Sequence, residues 1–405
     1  MDDIYTSPLA AAFVAEKSIS RETRKRLSQY QFITIASARQ AEYEADGWVL
    51  NQKLKRSVVM RRMKPLDMLF ADRVWAAMAK LNFQYLNKER SLELIHGSDD
   101  NKREQVDIFA ADDEVVLIII CRSTGSPVSS VFKQEIEDIQ AARPEVIHAL
   151  RNIFPERKFK YILATDNFIV SEQTEQRIKD AGIVHMDEDA IDYYLELAEH
   201  LGRAARFQLL GSLFAGSKIP GLEPRVAAIQ SKMGGYVYYS FAIEPARLLK
   251  LSYILHRNKA NSDLMPTYQR LIRKSRLKKI EQFVDGGGFF PNSIIVNIEP
   301  GAHGLQFERA PRTDTEAKLG VLHLPRTYRA AYVIDGQHRL YGYADSSRAE
   351  TDLVPVVAFV GLPRAVQVQL FMQINENQQA VPKNLRNTLN SVSYTHLTLP
   401  TILRV

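Results

Sequence analysis

Residues 330–344 read AAYVIDGQHRLYGYA. An apolar strand runs into Asp335–Gly336–Gln337–His338–Arg339, and an amphipathic helix begins there. Gly336 tolerates φ > 0, so the chain can turn sharply or let a ligand approach its backbone. Amide groups at a new helix start point outward with the positive dipole end, which suits an anion. Arg339 offers a planar, bidentate clamp for phosphate oxygens. His338 can donate to a phosphate or pass a proton, and Asp335 can cap, bind a metal or act as base. Strand–turn–helix with D-G-x-H-R therefore reads as a phosphate grip. In the plainer reading of the same residues, Asp335 caps, Gly336 turns, and His338 and Arg339 pair with nearby carboxylates.

The surrounding text, residues 225–390, reads as an α/β domain. GGYVYYSFAI, SIIVNI, LGVLHL, AAYVID and LVPVVAFV are expected strands. YQRLIRKSRLKKIEQFV and PRAVQVQLFMQIN are expected helices, with DGGGFFPN as a loop. On the first helix, Arg270, Arg273, Lys274, Arg276, Lys278 and Lys279 fall within ten residues. Spacings of three and four place a basic stripe on one face. Such a stripe suits a nucleic-acid backbone, where each neutralised phosphate releases counterions. A solvated face balanced by Glu281 and Asp285 is the alternative. No helix-turn-helix pattern suggests direct base reading.

Three blocks here carry a resemblance: YQRLIRKSRLKKIEQFVDGGGFFPNSIIVNI (268–298), DGQHRLYG, and FMQINENQQAV (371–381). In this order they resemble the DGQHR-domain family, a DndB-like branch of the ParB/sulfiredoxin-like fold tied to DNA phosphorothioation and other DNA-modification systems. The resemblance implies a phosphate or nucleotide pocket on Asp335, Gly336, Gln337, His338 and Arg339, with Gln269 and Arg270 as companions. It also points to Asn375, Asn377 and Gln378 as polar residues that either contact ligand or hold the fold. It assigns no settled reaction.

The preceding text reads as a separate α/β domain, residues 61–214. LDMLFADRVWAAMAKLNFQYLN carries one apolar helical stripe. Val115 to Ile120 is a continuous apolar run, expected as a central strand buried on both faces. A helix follows with a break at Pro144, then KFKYILATD as strand, SEQTEQRIKDAG as a helix capped at Ser171 or Thr174 and ended by Gly182. IVHMD is a strand and AIDYYLELAEHLGRAARFQLLGSLF one long helix. This order resembles the PD-(D/E)xK endonuclease-like fold. Asp107 matches its first acid, but Ile120 stands for the glutamate and Arg122 for the lysine. Isoleucine cannot ligate Mg²⁺, and arginine stays protonated and makes a poor base. The domain is expected to be nuclease-dead, retaining DNA or protein docking. Cys121 reads as a small core residue.

Residues 1–60 look helical and polar, and the Gly/Pro-containing 215–224 reads as a linker. The last segment, Ser391 to Val405, reads SVSYTHLTLPTILRV and resembles a translated sequencing adapter, so the natural protein is expected to continue past about residue 390.

The 405 residues are 45% hydrophobic and 25% charged, the balance of an ordinary globular chain, with net charge +6. One cysteine rules out a disulfide scaffold and fits a reducing, cytoplasmic setting. No apolar run reaches a membrane span, and no leader is evident at the start. Three functions follow. The first is a regulatory DNA-binding module of a modification or phage-defence locus, with DNA and other proteins of the system as partners. The second is a nucleotide or nucleic-acid phosphate enzyme with Asp335 and His338 as acid–base and nucleotide as ligand. The third is an Mg²⁺-dependent nuclease through the first domain. No resident metal site is expected otherwise.

Overall fold

A computed structural model describes residues 8–96, 102–222, 225–253, 274–299, 304–311 and 316–376. The chain is a mixed α/β protein.

The N-terminal segment is not the helical stretch its polarity suggests. Helix α1 (Ile19–Arg26) leads into strand β1 (Tyr30–Ala36), helix α2 (Gln40–Ala45), β2 (Val49–Lys53) and β3 (Ser57–Met63). The three strands form an antiparallel sheet in the order β1-β3-β2. The reason lies in alternation. QFITIA and SVVMRRM carry β-branched and large apolar residues at period two, which outweighs the basic run before them. Ile35, Val58 and Met60 turn inward with Trp48 to form a small core.

Helix α3 (Leu66–Lys80) and strands β4 (Tyr85–Leu86), β5 (Leu92–His96), β6 (Lys102–Val106) and β7 (Ile108–Ala111) precede the long β8 (Val115–Ser129). Next come α4 (Lys133–Arg151), β9 (Lys158–Ile169), α5 (Glu172–Asp180), β10 (Ile183–Met186), α6 (Glu188–Leu201) and α7 (Ala204–Leu213). The main sheet runs β10-β9-β8-β7-β4, with β8, β9 and β10 mutually parallel and β7 antiparallel to β8. As expected for a central strand, Val115, Leu117 and Ile119 face one apolar cluster while Val116, Ile118 and Ile120 face the other. Two expectations are corrected. Helix α4 passes through Pro144, which is solvent-exposed, so the carbonyl it leaves unbonded faces water while Ile136, Ile139, Val146 and Leu150 keep the helix seated. The expected long helix is two, α6 and α7, separated at Gly202 with φ 57°.

The third part contains β11 (Arg225–Met233), β12 (Tyr236–Ile243), α8 (Pro245–Leu251), β13 (Ser252–Tyr253), α9 (Lys274–Asp285), β14 (Ile294–Ile298), β15 (Gln306–Arg309), β16 (Lys318–His323), β17 (Ala331–Asp335), α10 (Gln337–Gly342), β18 (Val354–Val360) and α11 (Arg364–Glu376). Its eight-stranded sheet has the order β13-β17-β14-β18-β12-β11-β16-β15. The segment 215–224 is not a free linker over its described part. Ile219 and Leu222 are buried, and Ile219 N–H donates to Arg326 C=O at 2.7 Å. Its apolar residues, not its Gly and Pro content, decide its placement.

Polar contacts also join the two α/β parts. Tyr328 OH donates to Glu114 Oε2 at 2.7 Å, and Lys250 Nζ pairs with Glu114 Oε1 at 2.8 Å. Within the first part, Arg206 Nε pairs with Asp112 Oδ2 at 2.7 Å beside this junction. Among the described residues no helix is long and apolar enough to cross a membrane.

The N-terminal sheet is anchored by a buried ion cluster. Asp72 on α3 is fully buried and meets Lys64 Nζ at 2.9 Å, Arg90 at 3.0 Å and Arg26 at 3.3 Å. Removing one partner of a buried pair leaves uncompensated charge. Asp72→Asn is therefore expected to lower unfolding free energy by about 3–5 kcal/mol, read as a lower urea midpoint at unchanged slope. A loss below about 1 kcal/mol, the scale of an exposed pair, would contradict the anchoring.

Candidate functional site

Strand β17 ends at Asp335, and Gly336 follows in the left-handed region with φ 90°. A Cβ there would stand 3.1 Å from Ile294 Cγ1 and 3.2 Å from Ile294 Cα, so the turn is both strained and crowded for any other residue. Helix α10 then runs six residues. Such a short helix supplies little aligned dipole, which removes one support of the expected anion site.

Arg339 is not an open clamp. Its Nη2 donates to Asp335 Oδ2 at 2.9 Å and to Ser293 C=O at 3.2 Å, and its Nη1 donates to Asn292 C=O. The guanidinium thus fastens the strand end to the entry of β14. These bonds favour the plainer reading of Arg339, pairing with a nearby carboxylate, over the phosphate grip. Likewise, Asp335 is an acceptor for Arg339 and not a free base.

His338 is half-buried. Burial, then the neighbouring Arg276 charge, push its pKa down to about 4, against the opposing pull of Asp335. The imidazole is neutral at pH 7, so one ring nitrogen donates and the other accepts. Gln337 is buried, and its Oε1 has no hydrogen-bond partner among the described residues. An unpaired buried carbonyl is a candidate acceptor for a bound group, since leaving it empty costs about 1–3 kcal/mol.

The last residue of DGQHRLYG explains where the basic helix sits. A Cβ at Gly342 would stand 2.7 Å from Ile280 Cβ, so glycine lets α9 lie directly on α10. Leu277 and Val284 are buried at this contact. Lys274, Arg276, Lys278 and Lys279 are exposed, as the stripe predicts for a solvent-facing side. Gln269, Arg270, Arg273, Asn377 and Gln378 lie outside the described residues, as does the Asn375 side chain, whose backbone belongs to α11.

In the first α/β part, Asp107 and Arg122 do meet. Asp107 Oδ2 accepts from Cys121 N–H at 2.7 Å and lies 3.6 Å from Arg122 Nη1, while Arg122 Nε pairs with Glu135 Oε1 at 3.1 Å. Burial raises the Asp107 pKa, with the Cys121 amide and Arg122 opposing. Ile120 points into the core. Burial also pushes the Cys121 thiol well up. Among the described residues no group of three His, Cys, Asp or Glu side chains is arranged to hold a metal.

Two features escaped the sequence. Thr165 Oγ1 lies 2.8 Å from His185 Nε2, whose Nδ1 lies 2.5 Å from Glu175 Oε1. Arg276 reaches the field of His338 across a 62-residue separation, which only the α9–α10 packing creates. No spacing in the chain signals either.

Residues 226–396 match the DndB family model. That family is described as DNA-sulfur modification-associated, and the match contains the turn, α9 and α11. It meets the resemblance drawn from the three sequence blocks and begins beyond the endonuclease-like part, which gains no support from it. No curated protein matches the chain. Among solved structures, a Vibrio cholerae protein, VC1899, is similar at 10% identity and TM-score 0.25 over 45% of this chain and 50% of that one. Can2 from Sulfobacillus thermosulfidooxidans, solved with cyclic tetra-adenylate, is similar at 12% identity and TM-score 0.23 over 45% and 51%. The chain thus spans about half the length of these two proteins, and likeness at this level carries no argument about fold or function.

The low His338 pKa has a consequence for stability. The folded value, about 4, lies below the usual 6.5. Between these values the unfolded chain binds more protons, so stability rises with pH across this window and falls as pH drops through it. His338→Gln, which cannot charge, is expected to flatten urea-unfolding stability between pH 4 and 6.5. An unchanged pH dependence would contradict a neutral, half-buried imidazole.

Proposed function

We propose that this chain is a DNA-associated, regulatory component of a DNA-sulfur modification system, acting in the cytoplasm, that holds the DNA backbone with α9 beside the DGQHR turn. The observation carrying this reading is the juxtaposition, inside the DndB-matching region, of an exposed basic helix with a turn that presents a neutral imidazole. Lys274, Arg276, Lys278 and Lys279 line the exposed side of α9. Of the two residues that would balance them, Glu281 and Asp285, the second accepts from Ser346 Oγ at 2.7 Å and Ser347 Oγ at 3.0 Å, and these bonds hold its pKa low. Its charge is therefore engaged at the far end of the helix. His338 adds a hydrogen-bond donor without a second positive charge. Gln337 adds an acceptor.

This arrangement favours binding over catalysis. Asp335, one half of the proposed acid–base pair, is fastened to Arg339. No hydrogen-bonded carboxylate orients His338 among the described residues, whereas general-base histidines work with such a partner. Phosphate hydrolysis at the turn, or Mg²⁺-dependent cleavage through Asp107, is the competing outcome. Further partners in this reading are other proteins of the modification system.

Each Lys or Arg that neutralises a duplex phosphate contributes about 0.9 to the slope of log affinity against log salt. Replacing Arg276, Lys278 and Lys279 with Gln is expected to make that slope shallower by about 2–3, measured by fluorescence anisotropy with a labelled duplex. An unchanged slope would remove α9 from DNA contact. Release of phosphate from nucleotides that is abolished by His338→Ala would instead support the enzymatic reading.

A further inference from the structure

The positive charge of this protein is concentrated away from α9. Residues 17–64 carry twelve Lys and Arg against four Asp and Glu, a net +8. The other 357 residues carry 41 against 43, a net −2, so this segment holds the whole basic excess of the chain. It is the segment that folds as the three-stranded sheet β1-β3-β2.

That sheet has one covered face and one bare face. Ile33, Ile35, Val58, Met60 and Leu50 turn inward to pack with Trp48 and Tyr43. Alternation sends their neighbours outward. The strand register sets Phe32, Arg61 and Val49 in one row across the sheet, with Thr34, Val59 and Gln52 in the next. Phe32 is 43% exposed and Val49 57%. The Arg61 guanidinium lies over the Tyr30 ring, 4.8 Å from its centroid. No Asp or Glu occurs among the outward positions of the three strands. At one end, Lys55 and Arg56 are exposed in the β2–β3 turn, and Lys53, in register with inward Val58, is exposed at the edge beside them; none has an ion pair among the described residues.

Some of the local basic residues are already committed. Arg26 and Lys64 are buried against Asp72, and Arg39 and Arg62 pair with Glu42 and Asp46. The hairpin cations and Arg61 remain for a partner. A partner must then be anionic and must also cover flat aromatic and apolar surface. Unpaired nucleotides meet both demands, because every base has a face for stacking and every link a phosphate. A duplex hides its base faces and meets only one.

We propose that the outer face of this sheet binds single-stranded nucleic acid, with Phe32 and the Arg61–Tyr30 pair as stacking platform and Lys53, Lys55 and Arg56 on the phosphates. The proposal is independent of α9 and of the DndB match, which starts at residue 226. It gives the protein a second site, separate from the backbone grip.

The test uses the full chain and fluorescein-labelled (dT)20. Phe32→Ala is expected to weaken binding about tenfold, the scale of one lost base stack, while leaving duplex affinity within about twofold. Phe32→Trp is expected to retain binding and to show emission quenched by the oligonucleotide. Replacing Lys53, Lys55 and Arg56 with Gln is expected to make the salt slope shallower by about 2, at about 0.7 per phosphate on single strands. The Gln variant of Arg276, Lys278 and Lys279 is expected to weaken duplex binding more than (dT)20 binding, and Phe32→Ala the reverse, which separates this site from the one on α9. Absence of (dT)20 binding by the unaltered protein, an unchanged affinity in Phe32→Ala, or unquenched emission in Phe32→Trp would each overturn the proposal. So would binding lost only through the α9 changes.

Discussion

The bonds of Arg339 set the geometry on which the candidate site depends. One guanidinium reaches a carboxylate and two main-chain carbonyls, so it closes the Asp335 corner and ties it to the start of β14. A lysine has no planar fork and could not hold three acceptors in this arrangement. With the corner closed, Gly336 keeps φ at 90° and α10 leaves at one fixed angle. Gly342 then admits Ile280, and α9 is laid along α10 with its basic side outward. The residues of DGQHRLYG thus act first as a joint. The chemistry on offer is carried by what the joint presents: the His338 imidazole, the Gln337 carbonyl and the α9 cations.

This distinction changes what the motif means. An Asp–Gly–x–His–Arg sequence in isolation looks like a ligand grip because all of its side chains are polar. In the folded chain, Asp335 and Arg339 satisfy one another. Charged groups half removed from water favour such internal pairing, since hydrogen bonds between them offset desolvation. The binding reading passes accordingly from the guanidinium at 339 to the helix at 274–285, where no comparable internal partner is present among the described residues.

Much of the architecture was legible in the sequence where burial is two-sided. Val115 to Ile120 reads as a central strand because every residue in it is apolar, and the two clusters on either side of β8 explain why. The β17–turn–α10 corner was legible for the same reason, with glycine marking the turn. Legibility failed where a local signal competed with packing. The run SRETRKR made residues 1–60 look helical, yet among the described residues α1, α2 and three short 3-10 turns are all the helix there is, and the period-two residues from Tyr30 form a sheet. Pro144 looked like a break, but its lost hydrogen bond falls on the wet side of α4. Ile219 and Leu222 were overshadowed by flanking Gly and Pro. The approach of Arg276 to His338 and the Glu114–Tyr328–Lys250 contacts are long-range pairings, which no local pattern encodes.

The most direct test of the DNA-binding account is hydrogen exchange on the full chain with and without a saturating duplex. The account predicts slowed exchange at Lys274–Asp285 and at the 335–342 corner. Slowed exchange confined to other segments, with α9 unchanged at saturation, would contradict it.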